Sequence, residues 1–184
     1  MSELHLPAKT AAIFEWLSRG LFLSQNSQDH THQSLYQAVE AYFEALHGYF
    51  LPLGFELSKG PGYFYFSREE NRSTSEDKLE KLFRYLNYIE ILMLQDPHLS
   101  LGRVHATADL LHLIRQQPKA RNLMRKLSVK GGEDLGEKLK NMLKNLEKES
   151  WLAFLDEEGS QFILLDSMHY LLHMMEAVQK ASGK

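Results

Sequence analysis

The sequence contains no cysteine, and it has no long uninterrupted hydrophobic run. Without thiols the chain cannot form disulfides, thiolate zinc sites, iron–sulfur clusters or a cysteine nucleophile. Apolar runs such as Ile91–Leu94 are only a few residues long, and Glu3 and His5 precede the first apolar stretch. The sequence therefore predicts neither a membrane span nor a signal peptide, and we expect a cytoplasmic protein.

Common catalytic and nucleotide-binding motifs are also missing. The sequence has no Gly-x-x-x-x-Gly-Lys-Ser/Thr phosphate loop, no Gly-x-Gly-x-x-Gly and no Gly-x-Ser-x-Gly. Strand and helix patterns do not alternate as they do in a parallel sheet. We therefore expect a protein that is not an enzyme and that needs no cofactor.

Charge is unevenly distributed along the chain. The net charge is -3, yet residues 110–148 hold ten basic and four acidic side chains, and no acid lies between Leu110 and Gly132. An acidic protein with one basic belt is typical of a local contact with nucleic acid or an acidic partner. A long polar helical surface produces the same pattern by chance. The sequence leaves both interpretations open.

A helix, a hairpin and a second helix are predicted twice along the chain. Apolar residues spaced by three and four indicate the helices, and aromatic or apolar runs around turn residues indicate the hairpins. Because a short hairpin must lean on neighbouring helices, we predict a mainly α fold with two small β-hairpins, arranged as tandem winged-helix domains. The predicted domains span residues 1–97 and 98–184. Predicted helices cover 7–18, 34–50, 73–96, 103–116, 119–128, 134–148 and 168–178, and predicted strands cover 55–58, 63–66, 151–155 and 162–165.

The helix over 134–148 directs its polar residues away from a leucine stripe, and three of them are lysines. In a winged helix this element enters the major groove, and the basic side chains before it lie over the DNA backbone. The acidic side chains of residues 156–158 would repel the DNA phosphates, and the exposed face of the helix has no arginine for base contacts. We expect weak, salt-sensitive, sequence-neutral binding, with a merely solvated lysine face as the alternative. The predicted DNA-binding residues are Arg121, Arg125, Lys126, Lys130, Lys140, Asn141, Lys144 and Lys148.

The corresponding helix of the first unit differs, since no Lys or Arg lies between Gln33 and Pro52. A winged helix without a basic face suits protein binding, and the strand Tyr63–Phe66 would expose aromatic rings on one side. The alternative is that both faces of this strand are covered. The preceding segment 24–34 is rich in Gln, Asn and Ser, and we predict a loop there that includes His30–His32.

Two sets of histidines and carboxylates suggest a possible metal site, because a cysteine-free site must use these ligands. His105, Asp109 and His112 fall on one face of the helix predicted over 103–116. A second set, His169, His173 and Glu176, falls on one face of the closing helix. Neither set contains His-Glu-x-x-His, and both lie on polar sides, so exposed histidines without metal are the alternative.

The stretch Ile13–Leu23, the Tyr- and Phe-rich helix after it, Leu53–Leu57 and Gly62–Phe66 together resemble the MukE/MksE type of bacterial condensin accessory subunit. The resemblance implies tandem winged-helix domains, a homodimer, and binding to the kleisin that bridges the heads of an SMC-like ATPase. It also implies a role in chromosome organisation and segregation, or in plasmid exclusion, near the nucleoid. One departure is segment 24–33, which shows little sign of a separate first helix in the N-terminal helix-turn-helix.

Three functions therefore remain open from the sequence. The first is a non-catalytic condensin subunit that binds kleisin and, weakly, DNA. The second is a stand-alone winged-helix transcriptional regulator with a defined operator. The third is a helical protein that binds a metal through histidine and carboxylate.

Overall fold

The computed structural model describes residues 6–67 and 72–182, and its architecture is mainly helical with two small antiparallel sheets. This confirms the predicted fold class. The helices are α1 Thr10–Ser18, α2 His30–Ala41, α3 Phe43–Phe50, α4 Arg72–Leu92, α5 Thr107–Gln116, α6 Pro118–Lys126, α7 Leu135–Lys148 and α8 Met168–Ser182, with a 3-10 turn at Leu51–Leu53. The strands are β1 Leu23–Ser24, β2 Glu56–Gly60, β3 Tyr63–Ser67, β4 Val104–Ala106, β5 Leu152–Phe154 and β6 Gln161–Leu164.

Each predicted hairpin is present and gains a third strand from earlier in the chain. The sheet orders are β1-β3-β2 and β4-β6-β5, with Leu23 opposite Phe64 and His105 opposite Phe162. Both added strands are too short to show an alternating pattern. The prediction of a helix beginning at 103 is therefore wrong at its start, because 104–106 pair with β6 and the helix begins at Thr107.

The helix predicted over 34–50 is two helices, which break at Tyr42, where φ is -122° and ψ is 26°. Apolar spacing continues through this break, so the pattern does not reveal it. The predicted loop at His30–His32 is wrong, since these residues form the first turn of α2. Asp29 caps that turn by accepting a hydrogen bond from the His32 N–H at 2.7 Å. The N-terminal unit therefore has the separate helix that segment 24–33 did not reveal.

The buried residues form two clusters, one for each sheet. The first is built by α1, α2, α3 and the β1–β3 sheet, and it includes Ile13, Val39 and Leu46. The second is built by α4 to α8 and the other sheet. Helix α4 thus packs into the second cluster, although the predicted boundary at 97/98 assigns it to the first unit. The division into two domains at that boundary stays a prediction.

Strand β3 separates the two clusters, and each of its faces packs on one of them. Tyr63 and Tyr65 pack on the second cluster, whereas Phe64 and Phe66 pack on the first. Alternation of side chains along a strand explains this arrangement. The prediction of an exposed aromatic face is wrong for Tyr63 and Phe64, which are buried, whereas Tyr65 and Phe66 stay partly exposed.

Polar contacts join the two units beside β3. The Asn26 side chain donates to the Leu164 carbonyl at 3.0 Å and accepts from the Asp166 N–H at 2.9 Å, while the Asn26 N–H donates to the Asp166 carboxylate at 3.1 Å. The Ser167 N–H donates to the Ser24 hydroxyl at 3.2 Å. These reciprocal bonds fix the orientation of the first sheet against the second.

Candidate nucleic-acid interface

Helix α7 presents the predicted cationic face to solvent. Leu139, Met142, Leu143 and Leu146 are fully buried on one side, and Lys140, Lys144 and Lys148 are exposed on the other. Asp134 caps the helix by accepting from the Gly136 and Glu137 N–H groups at 2.7 and 3.0 Å. These bonds, from Glu137 first, lower the pKa of the Asp134 carboxyl. An anchored amphipathic helix thus carries a row of three lysines.

The other predicted basic residues lie on α6 and on the turn that leads to α7. Arg125, Lys126 and Lys130 are exposed, and Arg121 is half-exposed. Helix α6 packs against α7, so these side chains lie on elements adjacent to the one that carries the lysine row. Among the described residues, none of the seven predicted cations is in an ion pair. We call this region the cationic face; its residues are Arg121, Arg125, Lys126, Lys130, Lys140, Lys144 and Lys148.

Lys138 is a structural residue of this region that the sequence analysis missed. Only 7% of it is exposed, and its ammonium group donates to the carbonyls of Met124, Arg125 and Leu127 at 3.2, 2.6 and 3.3 Å. The positive charge thus meets the partial negative charge at the C-terminal end of α6. The sequence contained a signal for this burial, because Lys138 lies three residues after Leu135 and four before Met142, on the buried side of α7.

The turn between α6 and α7 depends on a glycine. Gly131 has a φ of +128°, and a Cβ there would lie 2.7 Å from the backbone nitrogen of Lys138. Any side chain at this position would displace the start of α7 from α6. The same turn is held by Asn141, whose amide nitrogen donates to the Lys130 and Glu137 carbonyls at 3.2 and 3.0 Å.

These contacts bear on how the face could meet DNA. Reading adenine requires an Asn amide that both donates to and accepts from the base edge. Both hydrogens of the Asn141 amide are directed to backbone carbonyls, so this residue shapes the turn. What remains exposed on α7 is a set of flexible ammonium groups, which suit phosphate oxygens of any sequence.

Acidic side chains limit this surface at the tip of the second hairpin. Asp156 accepts from the Ser160 N–H at 2.8 Å and from the Gln161 N–H at 2.8 Å. These bonds lower the pKa of the Asp156 carboxyl and keep it ionised, and the bond from the Ser160 N–H has the largest effect. Glu157 and Glu158 are exposed beside it. The tip is therefore anionic and would repel a phosphate backbone.

Helix α3 and the 3-10 turn present a different surface in the first unit. Tyr42, Tyr49, Leu51 and Leu53 are 38, 42, 50 and 56% exposed. Glu40 and Glu44 are exposed nearby, and no Lys or Arg lies between Gln33 and Pro52. We call Tyr42, Tyr49, Leu51 and Leu53 the apolar face of the first unit. The most exposed apolar groups of the first unit therefore lie on α3, just before it and in the 3-10 turn after it, and not on β3.

The first set of predicted metal ligands does not form. His105 is not on a helix with Asp109 and His112; it lies in β4, buried and stacked on Phe162 at 5.4 Å between ring centroids. Burial lowers the pKa of its imidazole. The second set brings the His169 and His173 rings to 6.3 Å. Within 6–67 and 72–182, no three His, Asp or Glu side chains could hold a metal ion.

The comparison with known families places the chain. Residues 8–175 match the family model described as condensin complex protein MksE. The chain therefore belongs to the MksE family, which implies an accessory subunit with partners in an SMC-like condensin complex. This confirms the resemblance to the MukE/MksE type. No curated protein sequence gives a significant match. Over the described part of the chain, no helix is both long and apolar enough to cross a bilayer.

Proposed function

We propose that this chain is a non-catalytic condensin subunit with two winged-helix units, in which the first binds a kleisin and the second contacts DNA. The order of strand, helices and hairpin within each three-stranded sheet supports the winged-helix assignment. The seven cations of the cationic face, none of them in an ion pair with a described residue, carry the DNA part of the proposal. The proposed setting is the nucleoid, in chromosome organisation, segregation or plasmid exclusion.

DNA binding of this kind should be weak, independent of sequence and strongly dependent on salt, because binding releases counterions from the phosphates. We expect the double variant Lys140→Glu/Lys144→Glu to lose about tenfold or more in affinity and to flatten the salt dependence. The measurement is fluorescence anisotropy with a short labelled duplex over about 50 to 200 mM salt.

Lys9→Glu/Lys59→Glu is the matched control, since it reverses the same number of charges at two exposed lysines of the first unit. Its DNA affinity should equal that of the unaltered protein. Equal losses in both variants would show only a general effect of net charge. A footprint on a single operator would favour the stand-alone regulator instead.

We also propose that the chain forms a homodimer, and that kleisin binding and dimerisation depend on the apolar face of the first unit. Surfaces that present aromatic and leucine side chains without cations are typical of protein interfaces. The test is co-expression with the kleisin from the same system, followed by size-exclusion chromatography with light scattering. Recovery of a complex, and a mass of two chains for the free protein, would support the proposal; a monomer that binds no kleisin would reject it.

A further inference from the structure

A groove of about 660 Å³ opens where the two units meet. Of its lining residues, only Lys148 also belongs to the cationic face, and none belongs to the apolar face. It is lined by the end of α1 and the loop after it, by β3, by α4, by the end of α7 and by α8. Its position between two units is a common place for ligand binding.

The floor of the groove is aromatic and tightly packed. The Phe22 ring lies 4.6 Å from Trp151 and 5.5 Å from Tyr65, and Tyr65 lies 5.0 Å from Tyr170, between ring centroids. Phe22 and Trp151 are each 6% exposed, and Tyr65 and Tyr170 are partly exposed. Met174, 40% exposed, lies at the edge. The floor is therefore a preformed aromatic surface, whose accessible part is Tyr65, Tyr170 and Met174 and which a bound side chain could cover without rearranging it.

The rim of the groove is cationic. Arg19, Lys81 and Lys148 line it, and Glu149 is the single acidic residue among the described lining residues. Glu149 is already paired with Lys81 at 2.6 Å. Arg19 and Lys148 are exposed, and neither is in an ion pair with a described residue. Among the described lining residues, two positive charges without an ion-pair partner thus flank an aromatic floor, and the complementary ligand carries negative charge around an apolar group.

Polypeptide fits this arrangement better than single-stranded nucleic acid. Bases bind by stacking on exposed ring faces, whereas the rings here pack against each other. An extended peptide needs only a pocket for one apolar side chain and cations for its neighbours.

We propose that this groove docks an extended segment of a partner polypeptide in which acidic residues flank one aromatic or leucine anchor. The inference rests on the proposed function, because a subunit of a condensin complex must hold other chains.

The test uses full-length protein and a random peptide library displayed on phage. Selected peptides are synthesised with a fluorescent label, and their affinities are measured by anisotropy. We expect them to carry at least two Asp or Glu residues around an aromatic or leucine residue. The variant Arg19→Glu/Lys148→Glu should weaken their binding about tenfold or more, because both flanking attractions become repulsions.

The matched control is Lys140→Glu/Lys144→Glu, which reverses two charges on α7 outside the groove and should leave peptide affinity unchanged. Circular dichroism and thermal unfolding establish that both variants fold. Failure to enrich any peptide, selection of peptides without acids, or equal binding to the Arg19→Glu/Lys148→Glu variant would overturn the inference. Binding of single-stranded oligothymidine at Arg19, without an acidic peptide, would assign the groove to nucleic acid. Kleisin binding and duplex binding are measured separately, so failure of the proposed function is distinguishable from failure of the peptide inference.

Discussion

Helices α3 and α7 occupy corresponding places in the chain, each directly before a hairpin, yet they present opposite chemistry to solvent. Helix α3 and its 3-10 turn expose Tyr42, Tyr49 and two leucines, whereas α7 exposes a row of lysines. The buried sides are alike, since both are apolar and pack on a three-stranded sheet. A repeated scaffold therefore fixes the inner face of each helix and leaves the outer face free to diverge.

The two helices also differ in how they are held. Helix α7 is fixed to α6 by the buried ammonium of Lys138 and by a glycine turn, so polar contacts set the position of the cationic face. The first unit has its own buried polar group, His32, whose ring nitrogen accepts from the Ser24 N–H at 2.7 Å. The four predictions below perturb these contacts and the two outer faces.

The largest effect is expected at Lys138. Lys138→Met would leave three carbonyls at the end of α6 without their buried partner, and we expect a loss of roughly 4 kcal/mol in the free energy of unfolding. Chemical denaturation measures it. Lys140→Met, on the exposed side of the same helix, should change stability by less than about 0.5 kcal/mol. Similar values for both variants would show that the buried contacts contribute little.

Acid should destabilise the first unit through His32. Burial, partly opposed by Asp29, lowers the pKa of His32 to about 4 from its usual 6.5. The unfolded chain therefore binds a proton that the folded chain does not, so stability is full above pH 6.5 and falls as the pH drops toward 4. The loss approaches about 3 kcal/mol. The pH dependence of denaturant unfolding measures it, and His32→Asn should flatten the curve in that window; an unchanged curve would contradict the assignment.

A smaller effect is expected in the turn before α7. Gly131→Ala would place a Cβ 2.7 Å from the backbone nitrogen of Lys138. We expect a loss of about 2 to 3 kcal/mol in the free energy of unfolding, together with weaker DNA binding. Gly132→Ala is the control, because Gly132 also has a positive φ but has open space around it. That substitution should cost only about 1 kcal/mol. The difference between their unfolding midpoints reports the steric contact together with the more strained φ of +128° at Gly131, and equal midpoints would mean that the turn can shift.

The smallest effect on stability is expected on the apolar face of the first unit. Leu53 is 56% exposed, so Leu53→Lys should change the free energy of unfolding by less than about 0.5 kcal/mol. The same substitution should weaken kleisin binding or dimerisation, as measured by light scattering. Val104→Lys in the second unit, at a site 53% exposed, is the control and should leave association unchanged. If both substitutions weaken association equally, the apolar face of the first unit is not a specific interface.

Much of the fold could be predicted because periodicity reports which side of an element is buried. The leucine stripe of α7 and its outward lysines follow directly from spacing, and so do both hairpins. Charge segregation was equally visible, since it needs only counting. The break between α2 and α3 at Tyr42 could not be predicted, because the apolar spacing continues through it and only the backbone angles reveal it.

The sequence by itself determined the element order, the amphipathic helices and the basic belt within an acidic chain, because these properties are local in the chain. Only the tertiary structure decided what lies opposite each element. Strands β1 and β4 exist only as partners of β3 and β6, and Lys138 becomes buried because the end of α6 faces it. Arg19 and Lys148 reach one groove although they are far apart in the chain, because the sheets bring their units together. Pairing, burial of charge and shared grooves depend on contacts between distant segments, and local spacing does not record them.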